Sequence, residues 1–249
     1  MATRFSTVFF DAANTLLYPD PPVGELYART ARKYGVDVSA ADVRAQFQRS
    51  WEVLQPKAAE DPGRYAIGEA DGRRWWQAVV AETFRPLGMP QPFETFFEEL
   101  YTLFAQPEVW RVYADVPEVL EGLRARGVVM GVLSNFDTRL GSLLQGLGLM
   151  PYFTHVVLSA VVGWEKPHPR IFASALALAG VPAEQVLHVG DNYQQDVIGA
   201  RQAGIYAVWL RRRGEHTADC PVINSLGELL AIIDEAGRVP SAAGSRDQP

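Results

Sequence analysis

Short apolar runs rich in β-branched and aromatic residues recur along this chain: TVFFD at 7–11, VVMGVLSN at 128–135, THVVLSA at 154–160, QVLHVGD at 185–191 and IYAVWL at 205–210. None alternates apolar with polar residues, which is the pattern of strands covered on both faces. Between them lie stretches with helical spacing: PEVLEGLRARG ending at Gly127, then 137–146, 169–179 and 196–203. Strands separated by helices predict βαβ units and a parallel sheet, hence an α/β, Rossmann-like core. The stretch 18–111 breaks this rhythm. It has no strong strand signal, and its apolar residues fall at helical spacing, as in Val23, Leu26, Tyr27 and Tyr34 and again in Trp75, Val79, Val80 and Phe84. The polar run at 56–72 interrupts two of its helices. A helical block entering after the first strand predicts an inserted cap over the strand ends. The expected organisation is a core of 1–17 and 112–238, a helical cap at 18–111, and a loose tail at 239–249.

Open α/β sheets bind ligands beyond the carboxyl ends of their strands. Those ends carry Asp11, then Ser134 and Asn135, then Gly190, Asp191 and Asn192, while Lys166 lies in GWEKPHPRIF after the third run. An acid closing one strand is as apt to cap the next helix as to do chemistry. Carboxylates, a hydroxyl, an amide and an ammonium from separate strand ends together point to a ligand site.

Composition narrows the partners. With 23 Lys and Arg against 29 Asp and Glu, the net charge is −6, contrary to the basic face that nucleic acids need. The basic run Arg211–Arg213 reads as a solvated loop. Cys220 is the single cysteine, so neither an intrachain disulfide nor a multi-cysteine metal site is expected. No apolar run approaches the roughly 20 residues that span a bilayer, and the start MATRFSTVFF does not read as a secretory signal. A cytoplasmic location is the expectation, with no membrane partner and the oligomeric state open.

The segments FFDAANTLL, GVLSNFD, GWEKPHPRIF and HVGDNYQQDVIGARQAG resemble, in order, motifs one to four of the haloacid dehalogenase superfamily. RRWWQAVVAETF together with SNFDTRLGSLLQGLGL and GDNYQQD resembles more narrowly the rhythmically-expressed-gene-2-like branch. The resemblance implies a hydrolase with a helical cap of the C1 type, acting on a small phosphorylated metabolite. It makes Asp11 the nucleophile that forms an aspartyl-phosphate, with Ser134 and Lys166 as catalytic partners and Ser134, Asn135 and Lys166 as substrate ligands. It implies Mg²⁺, held by Asp11, the carbonyl of Ala13 and Asp191, with Asp196 in contact or bound through water. Asn14 stands where the family usually has Gly; Asn tolerates left-handed backbone angles. Thr15 fits the pattern as a hydrogen-bonding residue that shapes the loop.

One position departs from that pattern. Phosphatases of this family carry a second Asp two residues past the nucleophile, where this chain has Ala13. That acid protonates the leaving oxygen and then activates water, help worth roughly 10²–10⁴ in rate. Its absence favours substrates with good leaving groups, or a replacement acid from the cap among Asp20, Glu25, Lys33, Lys57 and its tyrosines. It also leaves open a catalytically weak protein that binds a phosphorylated ligand. A 2-haloacid dehalogenase would not need Asp191, and a phosphonoacetaldehyde-type hydrolase would need a cap lysine such as Lys33 or Lys57. Among the remaining residues, His188 reads as a core histidine bonded to backbone, His168 as a loop residue, Trp75 and Trp76 as cap packing, and Asp20 and Glu25 as a helix-start cluster.

Overall fold

The computed structural model describes residues 4–54, 68–214 and 217–236. The expected tail at 239–249 and the cap candidate Lys57 lie outside them. In chain order the elements are β1 (Thr7–Phe10), β2 (Leu17–Pro19), α1 (Val23–Arg32), α2 (Ala40–Leu54), α3 (Glu69–Phe84), α4 (Phe93–Leu103), β3 (Trp110–Val112), α5 (Val116–Ala125), β4 (Val129–Ser134) and α6 (Arg139–Gly146). There follow β5 (His155–Leu158), α7 (Ser159–Val162), α8 (Pro169–Ala179), β6 (Val186–Gly190), α9 (Gly199–Gln202), β7 (Tyr206–Leu210), β8 (Val222–Ile223) and α10 (Glu228–Ala236).

The main sheet has the order β5-β4-β1-β6-β7-β8, with every pairing parallel. This is the α/β core that the apolar runs predict. The chain leaves β1 toward β4 and β5, then returns to the other side for β6, so strand order reverses at β1, where such folds open a crevice. Phe10 is level with Val132 on one side and Val189 on the other. Asp11 therefore emerges at the centre of the carboxyl edge, between the ends of β4 and β6.

Side chains alternate across the sheet. Phe10, Val132 and Val189 pack on one face with Leu120, Leu144 and Leu229, while Phe9, Leu133 and Val186 pack on the other with Phe172 and Val197. Gly131 faces Phe9 in register, and a Cβ there would lie 2.4 Å from the Phe9 ring, so this strand position holds only glycine.

Helices α1 to α4 follow β2 and precede β3, and they bury a separate core of Tyr27, Val80, Phe84, Phe96, Phe97 and Leu100. At the root of this insert β2 and β3 pair as an antiparallel ribbon, Leu17 opposite Val112. The helix expected over 196–203 begins instead as a π-helical turn, Tyr193–Ile198, that runs into α9. Among the described residues no helix is long and apolar enough to cross a membrane.

Candidate active site

β1 delivers Asp11 and β4 delivers Ser134. The Ser134 hydroxyl donates to Asp11 Oδ1 at 3.2 Å. Lys166, from the connection between α7 and α8, donates from Nζ to the same oxygen at 2.7 Å and to Asp196 Oδ1 at 2.6 Å. Its side chain is 1% exposed, so the contacts are made in a poorly screened interior. The π-helical turn carries Asp196 back toward the strand end, a common use of such turns at functional sites. Gly190 makes room for it: a Cβ there would sit 2.2 Å from the Asp196 carboxyl carbon.

Both oxygens of Asp196 are engaged. Oδ1 meets Lys166 and His188 Nε2 (3.0 Å), and Oδ2 accepts from the Asn192 amide at 2.9 Å. This suits Asp196 to an outer position around a cation better than to direct ligation. It also corrects the reading of His188, which is fully buried and bonds a carboxylate, with its Nδ1 unpartnered. Asp191 is different: no donor side chain reaches its carboxylate among the described residues, and its backbone carbonyl is fixed by the Trp209 indole at 3.0 Å.

The electrostatics follow from burial and proximity. Burial pushes the Asp11 carboxyl up, against the pull of Lys166. Burial, together with the charges of Asp11 and Asp196, pushes Asp191 up to about 7. Burial would raise Asp196 as well, yet Lys166 and His188 hold it well below the usual carboxylate range. Lys166 is buried too, but Asp11 and Asp196 keep its ammonium protonated far above the ordinary range.

The donor set fits a hard divalent cation, which takes oxygen ligands. Ligand oxygens of Asp11, Asp191 and Asp196 lie within 4.8 Å of one another. The Ala13 carbonyl, just past Asp11 in sequence, receives no hydrogen bond among the described residues. Like charges crowded in a buried pocket are what a cation would relieve.

Other expected site residues fall elsewhere. Asn135 does not present its amide to a ligand: Nδ2 donates to the Lys166 carbonyl (2.9 Å) and Oδ1 accepts from the Lys166 amide (2.6 Å), so it clamps the lysine's backbone. Thr15 shapes the loop through its main chain, while its buried Oγ1 has no partner. Asn14 adopts φ 61°, the left-handed angle that the sequence predicts there. In the insert, Lys33 pairs with Glu99 at 2.5 Å and Asp20 with Arg111 at 3.3 Å. Trp75 and Trp76 pack against Trp51 at 4.9 and 5.5 Å. His168 caps α8, accepting from the Arg170 amide at 3.2 Å. The basic run is a solvated loop only in part, since Arg212 is half-buried against Asp115.

A family profile described as haloacid dehalogenase-like hydrolase matches residues 5–204. Haloacid dehalogenase-like hydrolase domain-containing protein 3 of Danio rerio is 36% identical over 231 residues, 90% of this chain and 94% of that protein. The Rhythmically expressed gene 2 protein of Drosophila melanogaster is 28% identical over 221 residues, 85% of each chain. Among solved structures, an HAD phosphatase from Thermococcus onnurineus aligns over 94% of this chain and 100% of its own, with TM-score 0.66 and 26% identity. An L-2-haloacid dehalogenase from Xanthobacter autotrophicus aligns over 92% and 98%, with TM-score 0.71 at 23% identity, a likeness of fold alone.

Proposed function

The chain belongs to the haloacid dehalogenase-like hydrolases, and from that premise we propose that it is a Mg²⁺-dependent phosphatase of small phosphorylated metabolites, selective for good leaving groups. The observation that carries this reading is the pairing of a buried, Lys166-bound Asp11 with an Asp191 carboxylate that no side chain hydrogen-bonds among the described residues.

Lys166 and Ser134 both bind Oδ1 of Asp11, which fixes the carboxylate and leaves Oδ2 without an intramolecular donor among the described residues. In the first step the Oδ2–phosphorus bond forms as the bond from phosphorus to the leaving oxygen breaks, and that oxygen departs with the electron pair. In the second, a water oxygen attacks phosphorus and loses a proton to bulk water, the bond to Oδ2 breaks with its electron pair returning to Asp11, and inorganic phosphate leaves. Lys166 and Ser134 stand where they can donate to the transferring oxygens, whose charge is the main thing to stabilise. A Mg²⁺ held by Asp11, the Ala13 carbonyl and Asp191 would neutralise the phosphoryl charge between the two carboxylates. The Ala13 methyl neither gives a proton to the leaving oxygen nor takes one from water. Alkoxides therefore leave slowly, while aryl and acyl phosphates need no such help. The helical insert serves as the lid that selects the substrate and excludes water.

Carbon–halogen hydrolysis needs no cation and leaves Asp191 without a role. A Schiff-base route would need a free lysine, and the cap candidate among the described residues, Lys33, pairs with Glu99. The test is a panel of phosphorylated metabolites with p-nitrophenyl and acetyl phosphate, assayed with Mg²⁺ and again with a chelator. Metal-dependent phosphate release supports the reading; chelator-resistant release of halide from 2-haloacids contradicts it. Tight binding of a phosphorylated ligand without turnover would point to the weak, ligand-binding alternative that Ala13 invites.

A further inference from the structure

Arg212 lies in the loop after β7, at the same carboxyl edge of the sheet as the site, and it reaches the segment that follows the nucleophile. Its Nη2 donates to the Thr15 carbonyl at 2.7 Å and its Nε to the Asn14 carbonyl at 3.4 Å. The same guanidinium forms a two-point ion pair with Asp115, at 3.0 and 3.1 Å, and lies 3.6 Å over the Tyr113 ring. Asp115 is itself anchored, because Oδ2 also accepts from the Ser225 hydroxyl at 2.9 Å and the Leu226 amide at 2.8 Å. The guanidinium is therefore a planar spacer between a fixed carboxylate and the backbone of the nucleophile loop.

The carbonyls of that loop are nearly all assigned. Ala12 accepts from the amides of Thr15, Leu16 and Leu17, at 3.3, 2.8 and 3.1 Å. Leu16 accepts from the Tyr113 amide at 3.1 Å and Leu17 from the Asn14 amide at 2.7 Å. Arg212 takes Asn14 and Thr15. Among the described residues, the carbonyl from Ala12 to Leu17 that remains without a donor is that of Ala13. Each neighbour's orientation is held by a bond, and the left-handed Asn14 turns the chain between them. Replacing the guanidinium would leave two carbonyls without donors and free the peptide planes beside Ala13 to rotate.

We propose that Arg212, seated on Asp115, is a positioning residue that aims the Ala13 carbonyl toward the carboxylates of Asp11 and Asp191 and so sets the divalent-cation affinity of the site. The inference rests on the metal-dependent reading above. A lysine cannot do the same work, since one ammonium cannot span a carboxylate and two carbonyls as a planar fork does.

The test is Mg²⁺ binding to the full chain without substrate, by titration calorimetry, with the Mn²⁺ paramagnetic resonance signal as a second readout. Outer partners of metal ligands typically govern affinity by about 10–100-fold, and Arg212→Gln is expected to lose that much. Arg212→Lys should fall between Gln and wild type, and Asp115→Asn should weaken binding as Arg212→Gln does. The double variant should be no worse than either single one, because both remove the same support. Far-UV circular dichroism and melting report the fold separately. A folded Arg212→Gln with wild-type Mg²⁺ affinity overturns the proposal; if that variant does not fold, wild-type affinity in Arg212→Lys does so. Wild type that binds Mg²⁺ but cleaves no phosphate ester would sink the phosphatase reading while leaving the Arg212 comparison intact.

Discussion

The carboxyl edge of the sheet and the helical insert use charge in opposite ways. At the sheet edge, Lys166, Asp11 and Asp196 are buried and joined across strands far apart in sequence. In the insert, Lys33 with Glu99, Arg73 with Glu98, Arg74 with Asp71 and Arg85 with Glu82 pair on the surface, and most of these side chains are more than a third exposed. Buried charges interact strongly and are costly to orphan, whereas exposed pairs are screened and contribute little. The insert is held by its aromatic core instead, in which Phe84 lies 5.0 Å from Phe96 and stacks with Tyr27. Buried charge is thus concentrated at the sheet edge, and the insert rests on aromatic packing.

The largest break in that comparison should come from the nucleophile. Asp11→Asn keeps the shape and removes the attacking anion, so turnover should fall by on the order of 10⁴-fold or more, with an unchanged circular dichroism spectrum. Residual activity near wild type in the pure variant would contradict the role of Asp11.

Next comes the methyl at position 13. Wild-type rates should fall steeply as the leaving group becomes more basic, so that p-nitrophenyl phosphate far outpaces sugar phosphates. Ala13→Asp should flatten that dependence and recover part of the roughly 10²–10⁴ that general acid–base help supplies. Equal wild-type rates on aryl and alkyl esters would mean that the insert already supplies a proton, with Asp20 the first residue to replace.

Two lysines sharpen the contrast in stability. Lys166→Ala removes the cation that two buried carboxylates share and should cost about 3–5 kcal/mol by denaturant unfolding.

A smaller effect appears in pH. Asp191 and Glu165 are both pushed to about 7 in the folded chain, from ordinary values of 3.8 and 4.5, with burial the main cause for each. The folded state then holds protons that the unfolded chain has released, so stability without metal should fall as pH rises from about 4 to about 7. Mg²⁺ binding should strengthen over the same rise, as Asp191 ionises. Melting temperatures across pH, with and without Mg²⁺, test both signs, and Asp191→Asn should reduce the metal-free slope.

The smallest effect belongs to Lys33→Ala in the insert, which should cost no more than about 1 kcal/mol in the same unfolding assay.

Much of the core and its site is legible in the order of residues alone. Unbroken apolar runs locate the central strands, and the residues that close them, Asp11, Ser134 and Asp191, are the ones the sheet gathers at its edge. Lys166 stands out as the ammonium in the connection after the third run, and the family resemblance supplies Asp196. Shorter elements escape: β2 and β3 have 3 residues each and β8 has 2, too few for a pattern to show. The partner of His188 also escapes, because the π-helical turn that brings Asp196 back to the strand has no signature in residue type. Arg212 is hidden most deeply. It acts on carbonyls 197 and 198 positions earlier in the chain, and nothing in a run of three arginines tells which one turns inward.

A phosphoryl group carried by Asp11 is the step on which the proposed chemistry depends. Rapid acid quench of wild type during turnover of p-nitrophenyl phosphate with Mg²⁺, followed by peptide mass spectrometry, measures it directly. The predicted result is a phosphorylated peptide with the modification on Asp11, absent from Asp11→Asn and absent when chelator is added first. Phosphate release at an undiminished rate with no adduct on Asp11 at any quench time would contradict it.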